Sequence, residues 1–478
     1  MNYKIIINTL GWVLNVEAAA LVLPLICALV FSEPCAITFV ICILICAGLG
    51  AVCTIPTIKN RTMFSKEGFI IVALSWIIMS IFGALPFVIS GAVPNFVDAL
   101  FETVSGFTTT GASILTDVEA LPKSLLFWRS FTHFIGGMGV LVFLVAILPL
   151  SGGNNLYLIK AESPGPSVSK LVPKIRQTAK ILYIIYIILT VIEIIFLLAG
   201  GLDMFSALTL SFGTAGTGGF AVLNSGLSEY SAYTQNVITV FMILFGIDFS
   251  VYYMLLLGKF RSVLLSEELR AYLGIIFISI ITITFNIRPL FGNLSETIRH
   301  AAFQTAALIT TTGYSTRDFD LWPELSKTIL VTLMFIGASA GSTGGGIKVS
   351  RIIIFVKSIF KEIQIAAHPK STHKVTMNGR PVEHSVIRAV NVYMAAYIVI
   401  YVASILIISI DNMDYTTNFT AVVATLNNIG PGLAKVGPTQ NFSAFSALSK
   451  IVLSMDMLIG RLEIFPILVL FSPSAWRK

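Results

Sequence analysis

A short polar phrase stands twice in an otherwise apolar chain, as Thr108-Thr109-Thr110-Gly111 and as Thr310-Thr311-Thr312-Gly313. A looser form, Ala215-Gly216-Thr217-Gly218-Gly219, lies between them, and Asn427-Asn428-Ile429-Gly430-Pro431-Gly432 follows near the end. Successive copies are roughly a hundred residues apart, and internal repeats constrain architecture more than any single motif does. Thr and Gly are the residue types that offer backbone carbonyls and hydroxyls, the oxygen ligands that can replace the water around a cation. Four copies of one backbone-exposing turn therefore predict a pore lined by four loops. The candidate ion-binding residues are Thr109, Thr110 and Gly111; Thr217 and Gly218; Thr311, Thr312 and Gly313; and Asn428, Ile429 and Gly430. Within that set, Thr110, Gly111, Thr217, Gly218, Thr312, Gly313, Ile429 and Gly430 are the expected metal-ion ligands. Glycine supplies the φ values that turn a carbonyl toward an axis. One such Gly reads more simply as a helix C-cap. Four in the same setting favour the ion path.

A second Gly-rich element, Gly337-Ala-Ser-Ala-Gly-Ser-Thr-Gly-Gly-Gly346, interrupts an apolar run. It is not a phosphate loop, because Ile347 stands where that motif needs Lys. A stretch so rich in Gly and Ser holds a continuous membrane helix poorly. The expectation is a flexible intramembrane loop beneath the filter, with Gly341, Ser342, Thr343, Gly344, Gly345 and Gly346 as gate residues. A kinked, closely packed helix is the plainer alternative. Arg461, in Gly460-Arg461-Leu462-Glu463, lies inside the last apolar run. A central Arg costs about 2.5–3.5 kcal/mol on insertion scales, so it needs a partner or water. It is expected to look across to another unit, either to tune conduction by placing a positive charge near the pore or as an inter-unit clamp. Asp248, Glu193 and Glu17 are less specific, His133 reads as a packing residue, and Trp128-Arg129 reads as an interfacial anchor.

These residues need a scaffold, and composition says which kind. The chain has 478 residues, 56% hydrophobic and 12% charged, where soluble domains are nearer ~25% charged. Apolar runs recur from end to end, long enough to cross a hydrocarbon core of about 30 Å. The fold class is an all-α polytopic membrane protein. A β-barrel would show short alternating segments instead. The net charge of +7 is explained by position rather than by nucleic acid. With a cytoplasmic N-terminus and alternating topology, the inner segments hold Lys4; Lys59, Arg61 and Lys66; Lys160, Lys170, Lys174, Arg176 and Lys180; Lys259, Arg261 and Arg270; the basic residues from Lys348 to Arg388, among them Lys370; and Arg477 with Lys478. Acidic residues such as Asp98, Glu102, Asp117, Asp203, Asp318 and Asp414 favour the other side. The positive-inside rule then places both termini in the cytoplasm. The five cysteines read as small apolar fillers. With five histidines and no HExxH or GxSxG, the chain is not expected to be an enzyme.

Two apolar runs, 5–31 and 36–57, come first. A pattern of long run, short half-helix ending at a Gly turn, and second long run then occurs four times. Its members are 68–91, 95–107 and 124–150; 178–200, 203–214 and 233–258; 270–288, 296–309 and an interrupted 325–360; and 386–410, 415–427 and 445–471. The division is 1–60 for the two-helix extension, then 61–160, 161–265, 266–384 and 385–478 for four pore repeats. The middle segments are too short to span. They point their C-terminal carbonyls and negative dipole ends at the ion path. The polar connection 361–385 reads as an exposed loop.

The chain resembles the TrkH/TrkG/KtrB superfamily of bacterial potassium-uptake proteins, and within it the TrkH type. The phrases that carry the likeness include Ser105-Gly-Phe-Thr-Thr-Thr-Gly-Ala112, Gly136-Gly-Met-Gly139, Thr217-Gly-Gly-Phe220, Thr310-Thr-Thr-Gly-Tyr314, Gly341-Ser-Thr-Gly-Gly-Gly-Ile-Lys348, Asn427-Asn-Ile-Gly-Pro-Gly432 and Gly460-Arg-Leu-Glu463. The resemblance implies a homodimer in a bacterial cytoplasmic membrane, each subunit with its own pore. It implies K⁺ as the transported ion, with no organic cofactor in this chain. It also implies a cytosolic nucleotide-binding regulatory partner of the TrkA type, and a gate formed by Gly341–Gly346 with Arg461. The resemblance further implies K⁺ over Na⁺, because Gly111 stands at the first filter position, where some relatives that favour Na⁺ carry Ser. The second loop departs from the family pattern in being more Gly-rich. A symporter carrying K⁺ with Na⁺ or H⁺ is the alternative; it would need Asp248 or Glu102 as a coupling carboxylate.

Overall fold

The computed structural model describes residues 1–55, 64–139, 175–369 and 373–476. The expectations placed on Lys59, Arg61, Lys160, Lys170, Lys174, Lys370, Arg477 and Lys478, on the end of the run 124–150, and on the boundaries at residues 60 and 160 lie outside the described residues, as does the side chain of Arg176.

Helix α1 (Tyr3–Ala20) continues past Leu21 as α2 (Val22–Val30), and α3 (Ala36–Thr54) packs on α1. Their approach is close because Gly11 and Gly50 carry no side chain. A Cβ on Gly11 would lie 2.7 Å from the Cβ of Cys53 and 2.9 Å from the carbonyl of Gly50. Small residues at such a seam are the usual means of bringing membrane helices together. Cys42 and Cys46 are buried free thiols filling the same core.

One order of elements then recurs four times: a long helix, a short helix ending at a Gly-containing loop, and a second helix. The first unit holds α4 (Ser65–Gly83), α5 (Leu85–Ile89), α6 (Phe96–Phe107) and α7 (Lys123–Gly137). The second holds α8 (Ile175–Ala199), α9 (Met204–Gly216), α10 (Ala232–Phe245), α11 (Phe249–Leu256) and α12 (Phe260–Leu264). The third holds α13 (Glu267–Ile287), α14 (Leu294–Ile309), α15 (Glu324–Ile336) and α16 (Val349–Ala367). The fourth holds α17 (His384–Ile408), α18 (Tyr415–Leu426), α19 (Ala447–Arg461), α20 (Phe465–Phe471) and α21 (Pro473–Trp476). Among the described residues, six helical stretches are long and apolar enough to cross a membrane, or seven if α10 and α11 count as one bent span.

The four short helices start alike. Asn95, Asp203, Asn293 and Asp414 stand at their N-caps, and each side chain accepts a hydrogen bond from a first-turn amide at 2.9–3.0 Å. Such caps satisfy donors that the helix itself cannot. The helices have 12, 13, 16 and 12 residues. At about 1.5 Å per residue they fall short of a span, so their C-termini stop at depth.

The second helix of every unit also breaks, where only the third was expected to. α7 stops at Gly137, α10 turns through 87° into α11, α15 stops at Ile336, and α19 stops at Arg461 before Glu463 and Ile464 at φ 56° and 72°. Close packing accompanies the first and last breaks. Gly136 and Gly460 press against the carbonyls of Phe107 and Leu426 at the ends of α6 and α18, where any Cβ would overlap them.

The connection 361–385 is less free than its composition suggests. It starts with the end of α16 and carries a hairpin of β1 (Thr376–Met377) and β2 (Arg380–Pro381). Glu267 binds Lys357 at 2.5 Å and the amide of Asn378 at 3.0 Å, which ties the hairpin to α13 and α16.

Candidate functional site

Each short helix ends in the same backbone turn. The amides of Thr110, Gly218, Thr312 and Ile429 all reach back 2.8 Å to the carbonyls of Ser105, Gly213, Ala307 and Ala424. The preceding residues, Thr109, Thr217, Thr311 and Asn428, are left-handed, with φ of 54°, 54°, 59° and 54°. Two residues further on, Gly111, Gly219, Gly313 and Gly430 have φ of 79°, 77°, 78° and 99°. Together these form a Schellman-type cap followed by a glycine whose conformation an L residue rarely adopts.

This register moves one expected ligand. The glycine equivalent to Gly111, Gly313 and Gly430 is Gly219, not Gly218. Gly218 takes the place that Thr110, Thr312 and Ile429 hold in the other loops. The signal was present in the sequence. The same number of residues separates Asn95 from Thr109, Asp203 from Thr217, and Asp414 from Asn428, while the third helix is about one turn longer. Counting from the caps gives Gly219; matching Thr-Gly to Thr-Gly gives Gly218.

The four loops close on one another in chain order. A Cβ on Gly111 would overlap the carbonyl oxygen of Gly218, one on Gly219 that of Thr312, and one on Gly313 that of Ile429. A Cβ on Gly430 would lie 2.7 Å from the carbonyl oxygen of Thr110, which completes the circuit. Thr110, Gly218, Thr312 and Ile429 are buried, and among the described residues no donor takes their carbonyl oxygens. A buried carbonyl without a donor is costly. A ring of four, at the negative ends of four helices, suits a dehydrated cation.

Side chains stiffen the loops unequally. The hydroxyls of Thr108 and Thr110 pair at 2.8 Å, as do those of Thr310 and Thr312. In the second loop the Thr217 hydroxyl donates to the carbonyl of Gly216 at 2.6 Å. In the fourth, the Asn428 amide donates to the Thr110 hydroxyl at 3.0 Å and to the carbonyl of Met457 at 2.8 Å.

The segment between α15 and α16 lies against this ring. The amide of Gly345 donates to the Thr311 hydroxyl at 2.6 Å. The amide of Ser339 reaches the carbonyl of Gly246, and the amide of Phe249 reaches that of Gly341, at 3.1 and 3.0 Å. The Glu268 carboxylate takes the amide of Ala340 at 2.7 Å. Arg461 donates to the carbonyls of Thr343 and Gly137, both at 2.8 Å, and to that of Gly136. One guanidinium thus joins α19, the loop and the broken end of α7. Sequence reasoning missed two neighbours, Lys348, which donates to the carbonyl of Gly344, and Arg351, paired with Glu463. Both bring charge to the same break.

Two other expectations change. Trp128 and Arg129 are not an interfacial anchor. Both are buried; the Trp128 indole donates to the carbonyl of Gly83 at 2.9 Å, and Arg129 meets Glu102 at 2.5 Å. Glu102 is therefore an ion-paired residue behind the first loop.

The sequence as a whole matches known proteins. The family of cation transport proteins of the TrkH type matches residues 32–478. The chain belongs to the TrkH family. It is 35% identical, over 100% of both chains, to the Trk system potassium uptake protein TrkH of Escherichia coli (strain K12). It is 32% identical over 99% of both chains to the Trk system potassium uptake protein TrkG of the same strain. The crystal structure of the potassium transporter TrkH from Vibrio parahaemolyticus superposes with a TM-score of 0.89, at 31% identity and 100% coverage of both chains. This TrkH-family chain is a multi-pass helical membrane protein and not an enzyme.

Proposed function

We propose that this chain is the membrane subunit of a potassium-uptake system, and that K⁺ passes through the ring of Thr110, Gly218, Thr312 and Ile429 carbonyls. The ring itself carries the reading: four buried oxygens without donors, held by glycines whose replacement would displace them. The names of the full-length relatives supply the ion. Thr109, Gly111, Thr217, Gly219, Thr311, Gly313, Asn428 and Gly430 complete the filter. Inward movement is driven by the membrane potential, about 2.3 kcal/mol per charge per 100 mV.

The loop Gly341–Gly346 and Arg461 form the gate in this reading, because their hydrogen bonds cross beneath the ring. The four units correspond to pore repeats at 61–160, 161–265, 266–384 and 385–478, after an N-terminal extension at 1–60. The chain sits in the bacterial cytoplasmic membrane with both termini inside, as a homodimer served by a cytosolic nucleotide-binding subunit. The charge distribution supports that orientation. No observation favours a symporter: Glu102 is bound to Arg129, and Asp248 caps α11 through Ser250.

Conductance of the purified protein in planar bilayers, under opposed K⁺ and Na⁺ gradients, tests the reading. The expected reversal potential follows K⁺; one that follows Na⁺ refutes it. Deleting part of Gly341–Gly346 is expected to raise flux, and unchanged flux counts against the gate.

A further inference from the structure

The second loop is the weakest quarter of the ring by composition. Gly216, Gly218 and Gly219 leave its backbone free, and at the position of Thr110, Thr312 and Ile429 it has no side chain. The space is filled from another unit. A Cβ on Gly218 would run into the imidazole of His133, which projects from α7. His133 is wholly buried. Its Nδ1 lies 2.8 Å from the carbonyl of Gly106, near the end of α6, and its Nε2 lies 3.3 Å from the amide of Phe220, just past Gly219. A carbonyl only accepts and an amide only donates, so Nδ1 carries the proton and Nε2 accepts. The Phe220 ring sits 4.2 Å from the imidazole. On its other contact, the guanidinium of Arg129 lies 3.6 Å from the same ring. Arg129, one turn before His133 on α7, donates to the carbonyl of Ala221 at 2.9 Å. Its partner Glu102 also takes the amide of Ile114 at 3.0 Å, so the pair holds the exits of the first two loops together.

We propose that His133, backed by Arg129 and Glu102, is a positioning residue for ion selectivity, which holds the Gly218 carbonyl in the ring from outside its own loop. This rests on the carbonyl ring being the ion path. His133 does for the second loop what Thr110, Thr312 and Ile429 do within theirs. Without it, the three-glycine backbone can follow a smaller cation inward, and discrimination falls.

The test is the Na⁺-to-K⁺ permeability ratio of the full-length protein, from bi-ionic reversal potentials in planar bilayers. His133→Leu keeps bulk but loses both hydrogen bonds, and is expected to raise the ratio about tenfold. His133→Gln can donate to Gly106 and accept from Phe220, and is expected to stay within about threefold of the parent. Phe220→Leu removes the surface both side chains rest on and is expected to raise the ratio; with His133→Gln it decides the matter if His133→Leu fails to fold. Gly219→Ala, which displaces the Thr312 carbonyl directly, serves as the control. If it raises the ratio while His133→Leu and Phe220→Leu keep the parent value, or lower only total flux, the brace is overturned and the ring stands. If Gly219→Ala also keeps the parent ratio, the ring reading fails and the brace with it.

Discussion

Thr109, Thr217 and Thr311 hold a β-branched side chain in the left-handed region, where strain of about 1–3 kcal/mol per residue is typical. Glycine would hold the same turn without that strain. What Thr adds is a hydroxyl, and at Thr311 the hydroxyl is the acceptor for the Gly345 amide. Thr311→Val keeps the shape and removes the acceptor. It is expected to free the loop and raise K⁺ flux several-fold in a rubidium-uptake assay in liposomes. Wild-type flux would show that this bond does not restrain the proposed gate. Arg461 offers a second residue-scale test. Its guanidinium reaches three carbonyls at once, a geometry that an ammonium on a flexible stem does not reproduce. Arg461→Lys is therefore expected to raise flux part of the way that Arg461→Ala does, in the same assay. Equal flux in all three proteins would leave Arg461 as a packing residue.

At the scale of elements, position depends on where each short helix starts and stops. The caps Asn95, Asp203, Asn293 and Asp414 mark the starts. Asp203→Ala is expected to destabilise the protein by about 1 kcal/mol, read as a lowered Tm of the detergent-purified protein. Because the cap also sets the register of the second loop, K⁺ selectivity should loosen with it. These helices and their turns were legible beforehand, since polar caps, short apolar stretches and terminal glycines are local signals. Two element-scale features were not. The register of the second loop was misread because Thr217-Gly218 imitates Thr110-Gly111 locally, while the backbone follows the count from the cap. The breaks after α10 and α19 were missed because residues 246–248 and 462–464 make only three-residue gaps within otherwise apolar runs, and the end of α7 because glycines such as Gly136 and Gly137 are also common inside membrane helices. What packs against α7 and α19 just before they end is another chain segment, the carbonyl ends of α6 and α18.

The whole molecule is a circle that has to be closed, and the fourth unit closes it onto the first. Asn428 meets Thr110, the Phe442 amide meets the Ser113 carbonyl at 2.8 Å, and Lys450 pairs with Asp98 at 2.6 Å. One hydrophobic core holds Phe39, Trp76, Phe101 and Leu453 together, so the N-terminal pair of helices backs the same seam. Lys450→Met leaves a partly buried carboxylate without its partner. It is expected to cost about 1–3 kcal/mol, and the double change with Asp98→Asn should recover part of the lost Tm; no recovery would show that the pair does not hold the seam. By itself the sequence determined the class of protein and the four short helices with their glycine turns, because composition and periodicity act over a few residues. Only the tertiary structure decided that the Gly218 carbonyl packs on Gly111, that Glu102 holds Arg129, that His133 fills the space beside Gly218, and that Arg461 ties the loop to α7. Those contacts join segments far apart in the chain, and no local pattern specifies which buried polar group will meet which.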